Sequence, residues 1–529
     1  MSDEATTARA APPKVSRRFS ALVNFALSHV NTMLVITQGI VLVPLYLARI
    51  PDALYGAWLA TGNILSWIEL VDPGVSAVLT QRVASTYGSG DLRRLSRVIG
   101  TGLSLSFALA ALPLLAWPLA GHLGELSHAP AAHHATLAWS FRMGLLGTAM
   151  TFCSYATTAV LVGLQLTLWS GGVYLTAAVV GIGTTVLLLL AGVGLPSIPL
   201  GLLARGAVLF VGTGALAARW CARYLPVRPS FDRSELRGIL GTSAYTFVSR
   251  VGVTLAGRMD AFLTANLMSP LQTTVLTLTG RALDPVRMVA ASVGSSLQSG
   301  IAHLLGEGGR ARAAEVMELA GRAVASWTVF AAASVVALNH VFVALWVGGQ
   351  RFGSGWLTIL LALAMGLSAF TASLNQLVFA ANGIRASSVV GLVEAILKVT
   401  LQVVLVRRFG LLGMPLAAIV ASLAVPAWML PRIAAELVGL PASKARRFWA
   451  WQGFRLAVGV AVGAAVSWLL KRAAIAWTWP LFIAAATVIG SVFAAAATAT
   501  DREIRARVVA RVRARIAPPS IARSSEPKP

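Results

Sequence analysis

Twelve charged side chains stand well inside otherwise apolar stretches of this sequence. Seven are basic, namely Arg142, Arg205, Arg250, Arg258, Arg281, Arg287 and Lys398, and five are acidic, namely Glu69, Asp72, Asp260, Asp284 and Glu394. In hydrocarbon each would cost about 2.5–3.5 kcal/mol at mid-depth, so such groups face a wet cavity or one another. The surplus is arginine. Its planar guanidinium pairs bidentately with phosphate oxygens, so the six arginines form a candidate cationic site for a diphosphate. The acids are candidates for holding a coupling proton or sodium ion.

Spacing separates these candidates. At about 100° per residue, Arg281, Asp284 and Arg287 fall within an arc of about 120°, so they line a cavity together or form a chain of i,i+3 ion pairs. Glu394 and Lys398 are i,i+4 in the favoured order for a self-satisfied pair. Arg258 and Asp260 are about 200° apart and cannot share one face, whereas Arg250 lies about 80° from each and is the best placed of the three. Arg142 is close enough to the end of its stretch to snorkel toward water. Glu69 and Asp72 precede Pro73-Gly74, where a helix breaks. They form either an ion-holding carboxyl pair or a turn at a helix end.

The elements that must position these groups are long apolar windows. Fourteen can be marked, at roughly 22–48, 54–83, 98–121, 136–163, 168–192, 196–219, 239–268, 271–301, 321–346, 355–381, 386–406, 411–436, 453–470 and 478–499. Each is long enough to cross ~30 Å of hydrocarbon at ~1.5 Å per residue. Hydrophobic residues make up 57% of the chain and charged ones 12%, which excludes a soluble domain. The expected fold class is an all-α polytopic membrane protein.

A formal charge of +24 suggests nucleic acid until the basic residues are placed. With the N-terminus inside, thirty Lys and Arg fall in cytoplasmic segments and six outside. That is the positive-inside bias, with both termini cytoplasmic, and no nucleic-acid partner is implied. Arg407 and Arg408 fall on the wrong side, so windows 386–406 and 411–436 are the ones whose boundaries it questions. The first window is too long for a cleaved signal and reads as a retained anchor. Two cysteines, Cys153 and Cys221, supply neither a disulfide framework nor a thiolate metal site. His122, His128, His133 and His134 share one loop without a clustered carboxylate, so no metal is expected.

A repeat organises the windows. Shifting the chain by 218 residues lays Tyr87–Arg94 on Leu305–Arg312 and Val160–Gln165 on Val378–Gly383, and Gly194-Leu195-Pro196 meets Gly413-Met414-Pro415 one residue out of step. Six windows per copy is an even number, so the copies share one orientation and are related by an axis along the membrane normal. The expected organisation is a basic tail (1–20), a six-helix bundle (21–237), a second (238–440), two further helices (441–500) and a terminal segment (501–529). Two such bundles enclose a cleft that opens alternately to either side, the architecture of a carrier. From Asp501, Ile504, Val508, Val512 and Ile516 recur every four residues among arginines, a basic amphipathic helix suited to an anionic membrane surface.

Val43-Pro44-Leu45-Tyr46-Leu47, Leu54-Tyr55-Gly56-Ala57-Trp58, Leu70-Val71-Asp72-Pro73-Gly74, the Tyr87–Asp91 turn, Arg258-Met259-Asp260 and Phe409-Gly410-Leu411-Leu412-Gly413 resemble polysaccharide flippases. These belong to the multidrug/oligosaccharidyl-lipid/polysaccharide exporter superfamily, and the resemblance covers about the first 440 residues. Where many relatives carry a proline, this chain has Gln298-Ser299-Gly300, so a hinge there rests on Gly300. The resemblance implies translocation of an undecaprenyl-diphosphate-linked oligosaccharide across a bacterial inner membrane. Its implied partners are that lipid-linked sugar, membrane lipids, and a polysaccharide polymerase and glycosyltransferases. No cofactor is implied beyond coupling to a proton or sodium gradient. A cation-coupled drug exporter of the same superfamily is the rival reading and predicts an acid-dominated cleft. A membrane glycosyltransferase or ligase predicts a large external loop, and the outer loops here are short. No nucleophile–base motif or P-loop is present, so no enzyme is expected.

Both termini should be cytoplasmic, with loops near 128, 194, 270 and 350 outside. After removal of Cys153 and Cys221, single cysteines at those loops should react with a membrane-impermeant thiol reagent in intact cells. Labelling of position 230 would overturn this topology.

Overall fold

The structure is a computed structural model that describes residues 37–67, 74–225, 228–290, 309–380, 383–439, 441–473 and 475–501, with residues 30, 33–34, 293, 301 and 505–506. Glu69, Asp72, the 298–300 segment and most of the terminal segment lie outside the described residues, as do the side chains of Arg250 and Arg258.

The described residues form helices throughout. In chain order they are α1 (37–49), α2 (Asp52–Trp67), α3 (Val75–Ser89), α4 (Leu92–Ala111), the short α5 (Leu123–Leu126), α6 (His134–Gly163), α7 (Thr167–Leu190), α8 (Ser197–Tyr224) and α9 (Arg233–Leu267). There follow α10 (Pro270–Gly280), α11 (284–290), α12 (Arg310–Val347), α13 (Gly355–Ala380), α14 (Ile384–Phe409), α15 (Gly413–Ala424), α16 (Pro426–Val438), α17 (Ala442–Arg472) and α18 (Trp479–Ala499). Among the described residues, nine helical stretches are long and apolar enough to cross a membrane. The chain is a multi-pass membrane protein.

The predicted windows differ from these helices where the backbone breaks. Window 54–83 is not one helix but α2 and α3, and Gly74, with φ 95°, precedes α3 in the left-handed region that glycine adopts at little cost. Window 271–301 is interrupted after Gly280 by a 3₁₀ turn at Arg281–Leu283. Pro285 accounts for the turn: it has no N–H for the Arg281 carbonyl, which accepts from the Asp284 amide instead. Window 411–436 splits at Val425 ahead of Pro426. Arg407 and Arg408 occupy the last turn of α14, where cations complement the helix dipole, and α15 follows after one 3₁₀ turn.

Packing divides the chain into two compact units. The first comprises Met1–Leu278, Trp346–Arg351 and Ile384–Ala421, and the second Thr279–Leu345, Phe352–Gly383 and Ser422–Pro529. These limits do not follow the repeat, because α9 and α14, both in its second half, pack within the first unit.

Within the first unit, α8 is held against two neighbours through glycine. A Cβ on Gly147 of α6 would meet the backbone of Leu202 and Leu203 at 2.7–2.9 Å, and one on Gly206 would strike the Gly147 carbonyl. On the other side, a Cβ on Gly201 would strike Thr185 Oγ1 and the Gly181 carbonyl of α7. Lipid supplies no hydrophobic drive between helices, so close backbone approach is what holds them. At one end Glu235, only 7% exposed, takes Arg82 at 2.7 Å and Arg94 at 2.9 Å, joining α3, α4 and α9. Beside it Asp232 caps α9, and hydrogen bonds from Ser234, followed by the charge of Arg97, hold its carboxyl below the usual range. At the other end Arg351 binds Asp52 through two hydrogen bonds of 2.8 and 2.9 Å, and Trp346 Nε1 donates to the Ile40 carbonyl at 2.7 Å.

The second unit has its own charged lock. Arg455 of α17, 5% exposed, donates to Gln452 Oε1, to Ser326 Oγ of α12, and to the Ala497 carbonyl and Thr500 Oγ1 at the end of α18. Asp501 accepts from Arg322 at 3.2 Å and faces Arg455 at 3.6 Å. Asp501 is 2% exposed, and its carbonyl accepts from the Arg505 amide at 2.9 Å. It is the anchor of α18.

Gly206→Leu should destabilise the protein by about 1–3 kcal/mol through overpacking at the α6–α8 contact. Gly214→Ala, whose added Cβ meets nothing within 4 Å, should leave it unchanged or slightly more stable. Thermal unfolding in detergent measures both.

Candidate functional site

In the second unit, the 3₁₀ turn has three residues per turn, so Arg281 and Asp284 eclipse. Arg281 Nη1 lies 3.2 Å from Asp284 Oδ2, and Arg287 Nη2 lies 3.5 Å from Oδ1. Of the two arrangements open to these residues, the ion-pair chain is the one present. One carboxylate serves two guanidinium groups, leaving a net positive cluster with side chains 33%, 41% and 54% exposed in chain order. Exposed pairs of this kind contribute little to stability, which leaves their charge available to a ligand.

In the first unit, Asp260 of α9 meets α14. Lys398 Nζ lies 2.8 Å from Asp260 Oδ1, and Gln402 Nε2 donates to the same oxygen at 2.8 Å. Lys398 therefore pairs across helices, and Glu394 stands half-buried one turn before it. Lys398 is 11% exposed and Asp260 is 43% exposed, so the acid is the open side of this pair. Gln402 was not foreseen as a participant. The signal for it was present, since 394, 398 and 402 make a polar stripe at i, i+4, i+8 on an apolar helix.

Arg205 of α8 turns toward α7. Its Nη2 donates to the Tyr174 hydroxyl at 2.5 Å, and its Cζ lies 5.1 Å from the same ring. Gly181 makes room for the stem, since a Cβ there would meet Arg205 Cβ at 2.8 Å. Arg142 of α6 stands with its Cζ 5.8 Å from the Trp117 ring, in the 3₁₀ stretch after α4. Both arginines keep a buried Nε without a partner, and among the described residues neither meets a carboxylate. A guanidinium on an aromatic face retains its charge and most of its donors. Tyr174 and Trp117 carried no sequence signal, because a ring in an apolar span reads as packing.

Four of the predicted residues cannot be placed: Glu69, Asp72, and the side chains of Arg250 and Arg258 lie outside the described residues. Those that can fall into two sets. Arg142, Arg205, Asp260 and Glu394 belong to the first unit, and Arg281, Asp284 and Arg287 to the second.

No protein-family model matches the chain, and no curated protein matches it by sequence. Solved structures do. A lipid II flippase, MurJ, in an inward closed conformation superposes with a TM-score of 0.64 at 13% identity, over 90% of this chain and 98% of that one. A eukaryotic MATE transporter, AtDTX14, gives 0.57 at 16% identity, over 81% and 96%. An inward-facing multidrug resistance MATE transporter of the MOP superfamily gives 0.56 at 16% identity, over 78% and 98%. The chain shares the fold of these transporters. MOP is the multidrug/oligosaccharidyl-lipid/polysaccharide superfamily that the sequence motifs resemble, and the three structures are one flippase and two transporters.

Lys398→Gln should cost about 1–3 kcal/mol by leaving the Asp260 carboxylate without its cation, and adding Asp260→Asn should recover most of the loss. Thermal unfolding of the two single variants and the double variant checks this. Additive losses would show that the pair carries no coupling.

Proposed function

We propose that this protein is a flippase that moves an undecaprenyl-diphosphate-linked oligosaccharide from the inner to the outer leaflet of a bacterial inner membrane. It works by alternating access of two six-helix repeats, 21–237 and 238–440, in O-antigen or exopolysaccharide synthesis. A polysaccharide polymerase and glycosyltransferases are its functional partners.

The observation that carries this reading is the uncompensated arginine. Arg142 and Arg205 rest on rings rather than carboxylates, and Arg281 and Arg287 share a single acid. Such groups suit a diphosphate and are unfavourable to a cationic drug. The likeness to a lipid II flippase over 90% of the chain, against 78–81% for the two MATE structures, supports the same choice. Arg250 and Arg258 are further candidates for the anion by type and spacing.

A second reading is favoured by Asp260, whose carboxylate stays 43% exposed beside Lys398. An open acid next to a buried lysine suits ion-coupled export of a cation, and Glu69, Asp72, Asp284 and Glu394 are further coupling candidates. Under the flippase reading the same pair couples lipid movement to a proton or sodium gradient.

Reconstitution into vesicles containing a fluorescent polyprenyl-diphosphate oligosaccharide separates the two. The wild type should move the lipid, and Arg205→Gln and Arg281→Gln should each slow it about tenfold at normal abundance, the loss expected for charge-assisted contacts of ~1.5 kcal/mol. Lysine at either position should rescue only in part, because it lacks the fork. Gradient-driven uptake of a cationic dye, with no lipid movement, would replace the flippase with a cation exporter.

A further inference from the structure

A second site lies on the first unit, and none of the twelve interior charged residues lines it. α4 and α8 diverge over α6 to leave a groove of about 900 Å³. Leu103 and Phe107 form one wall, and Phe210, Gly214 and Ala218 the other. Its floor is apolar in effect, because the Thr157 hydroxyl bonds Thr213 Oγ1 at 2.6 Å and is satisfied inward. The small residues of α8 make the hollow: a Cβ on Gly214 would meet nothing within 4 Å.

The two ends of the groove differ. At the deep end Phe107 and Phe210 meet edge to face, their ring centroids 6.3 Å apart. At the mouth stands Arg228, exposed. Phe210 lies fourteen residues before Tyr224, the last of α8, so the groove runs about 21 Å at 1.5 Å per residue. That equals half of a ~40–45 Å bilayer including its head groups, which is the length of a lipid in one leaflet.

The mouth is also selective by charge. Asp232 is taken by Arg97 at 3.2 Å, and Glu235 by Arg82 and Arg94. Asp91 accepts from the Arg94 amide as the cap of α4. With these acids engaged, Arg228 has no carboxylate partner among the described residues.

We propose that this groove binds an anionic phospholipid, with one acyl chain between α4 and α8 and the phosphate on Arg228. Apolar walls alone would accept any lipid; the unpartnered guanidinium at head-group depth selects the anionic one. The groove's length of about 21 Å matches a chain of one leaflet and is shorter than a long polyprenyl substrate. The site therefore holds a resident lipid, and it does not depend on what the protein transports.

Native mass spectrometry tests this on the full-length protein extracted from vesicles of equal phosphatidylglycerol and phosphatidylethanolamine. The wild type should retain phosphatidylglycerol about fivefold over phosphatidylethanolamine, the preference that one interfacial cation confers. Arg228→Gln should remove that preference while keeping the total bound lipid. Gly214→Phe should fill the groove and lower both. Equal retention of the two lipids by the wild type, or an unchanged preference in Arg228→Gln, would overturn the proposal. Those two measurements decide even if Gly214→Phe does not fold. Displacement of the bound phosphatidylglycerol by added polyprenyl phosphate would overturn the resident-lipid assignment in favour of a substrate-tail site.

Discussion

Burial deprives a charge of solvent, so a charge drawn into this protein must find a partner there. In this fold the partner is often on another helix. Glu235 of α9 takes its cations from α3 and α4, Asp260 of α9 takes Lys398 from α14, and Asp501 beyond α18 takes Arg322 and Arg455 from α12 and α17. Each contact sets the register of one helix against another, since removing one partner strands a charge at a cost of about 3–5 kcal/mol when buried. Apolar packing alone would tolerate sliding; these pairs do not.

Close backbone approach and charge placement meet at α8. The glycines that let α8 lie against α6 and α7 also decide where Arg205 can reach. Gly181 leaves space for its stem, and the guanidinium then extends to Tyr174. A larger residue at 181 would displace a cation as well as a helix. Packing and the candidate site are one arrangement at this point, which is how a single surface can serve both.

The interior arginines differ in what holds them, and that difference bears on function. Arg82 and Arg94 share one buried acid, Glu235, near a helix end and serve as fasteners. Arg142 and Arg205 are held by aromatic rings, which orient a guanidinium without cancelling its charge. Arg281 and Arg287 are half-neutralised by one aspartate. An anion arriving in the membrane interior would find charge at the second and third kinds.

Much of this was legible in the chain itself. Windows 136–163, 168–192 and 478–499 anticipate α6, α7 and α18 within a few residues, because membrane-spanning length and apolarity are set by the bilayer and written in composition. The i,i+3 ion pairs around Asp284 were legible as an option, because helical spacing alone brings such residues together. What the sequence could not decide was which option prevails and which helix supplies a partner. Pro285 turned a helix into a 3₁₀ turn and so eclipsed Arg281 with Asp284, a local effect whose outcome still depended on the helix continuing beyond it. Lys398 has an acid one turn away and reaches an aspartate 138 positions earlier in the chain. Tyr174 and Trp117 meet Arg205 and Arg142 only because the segments that carry them stand side by side. A sequence determines the period and polarity of each helix, since these depend on neighbours along the chain. The choice of partner is a property of the assembled bundle, because the energy of a charge in hydrocarbon depends on whatever lies within a few ångströms of it, wherever that group falls in the chain.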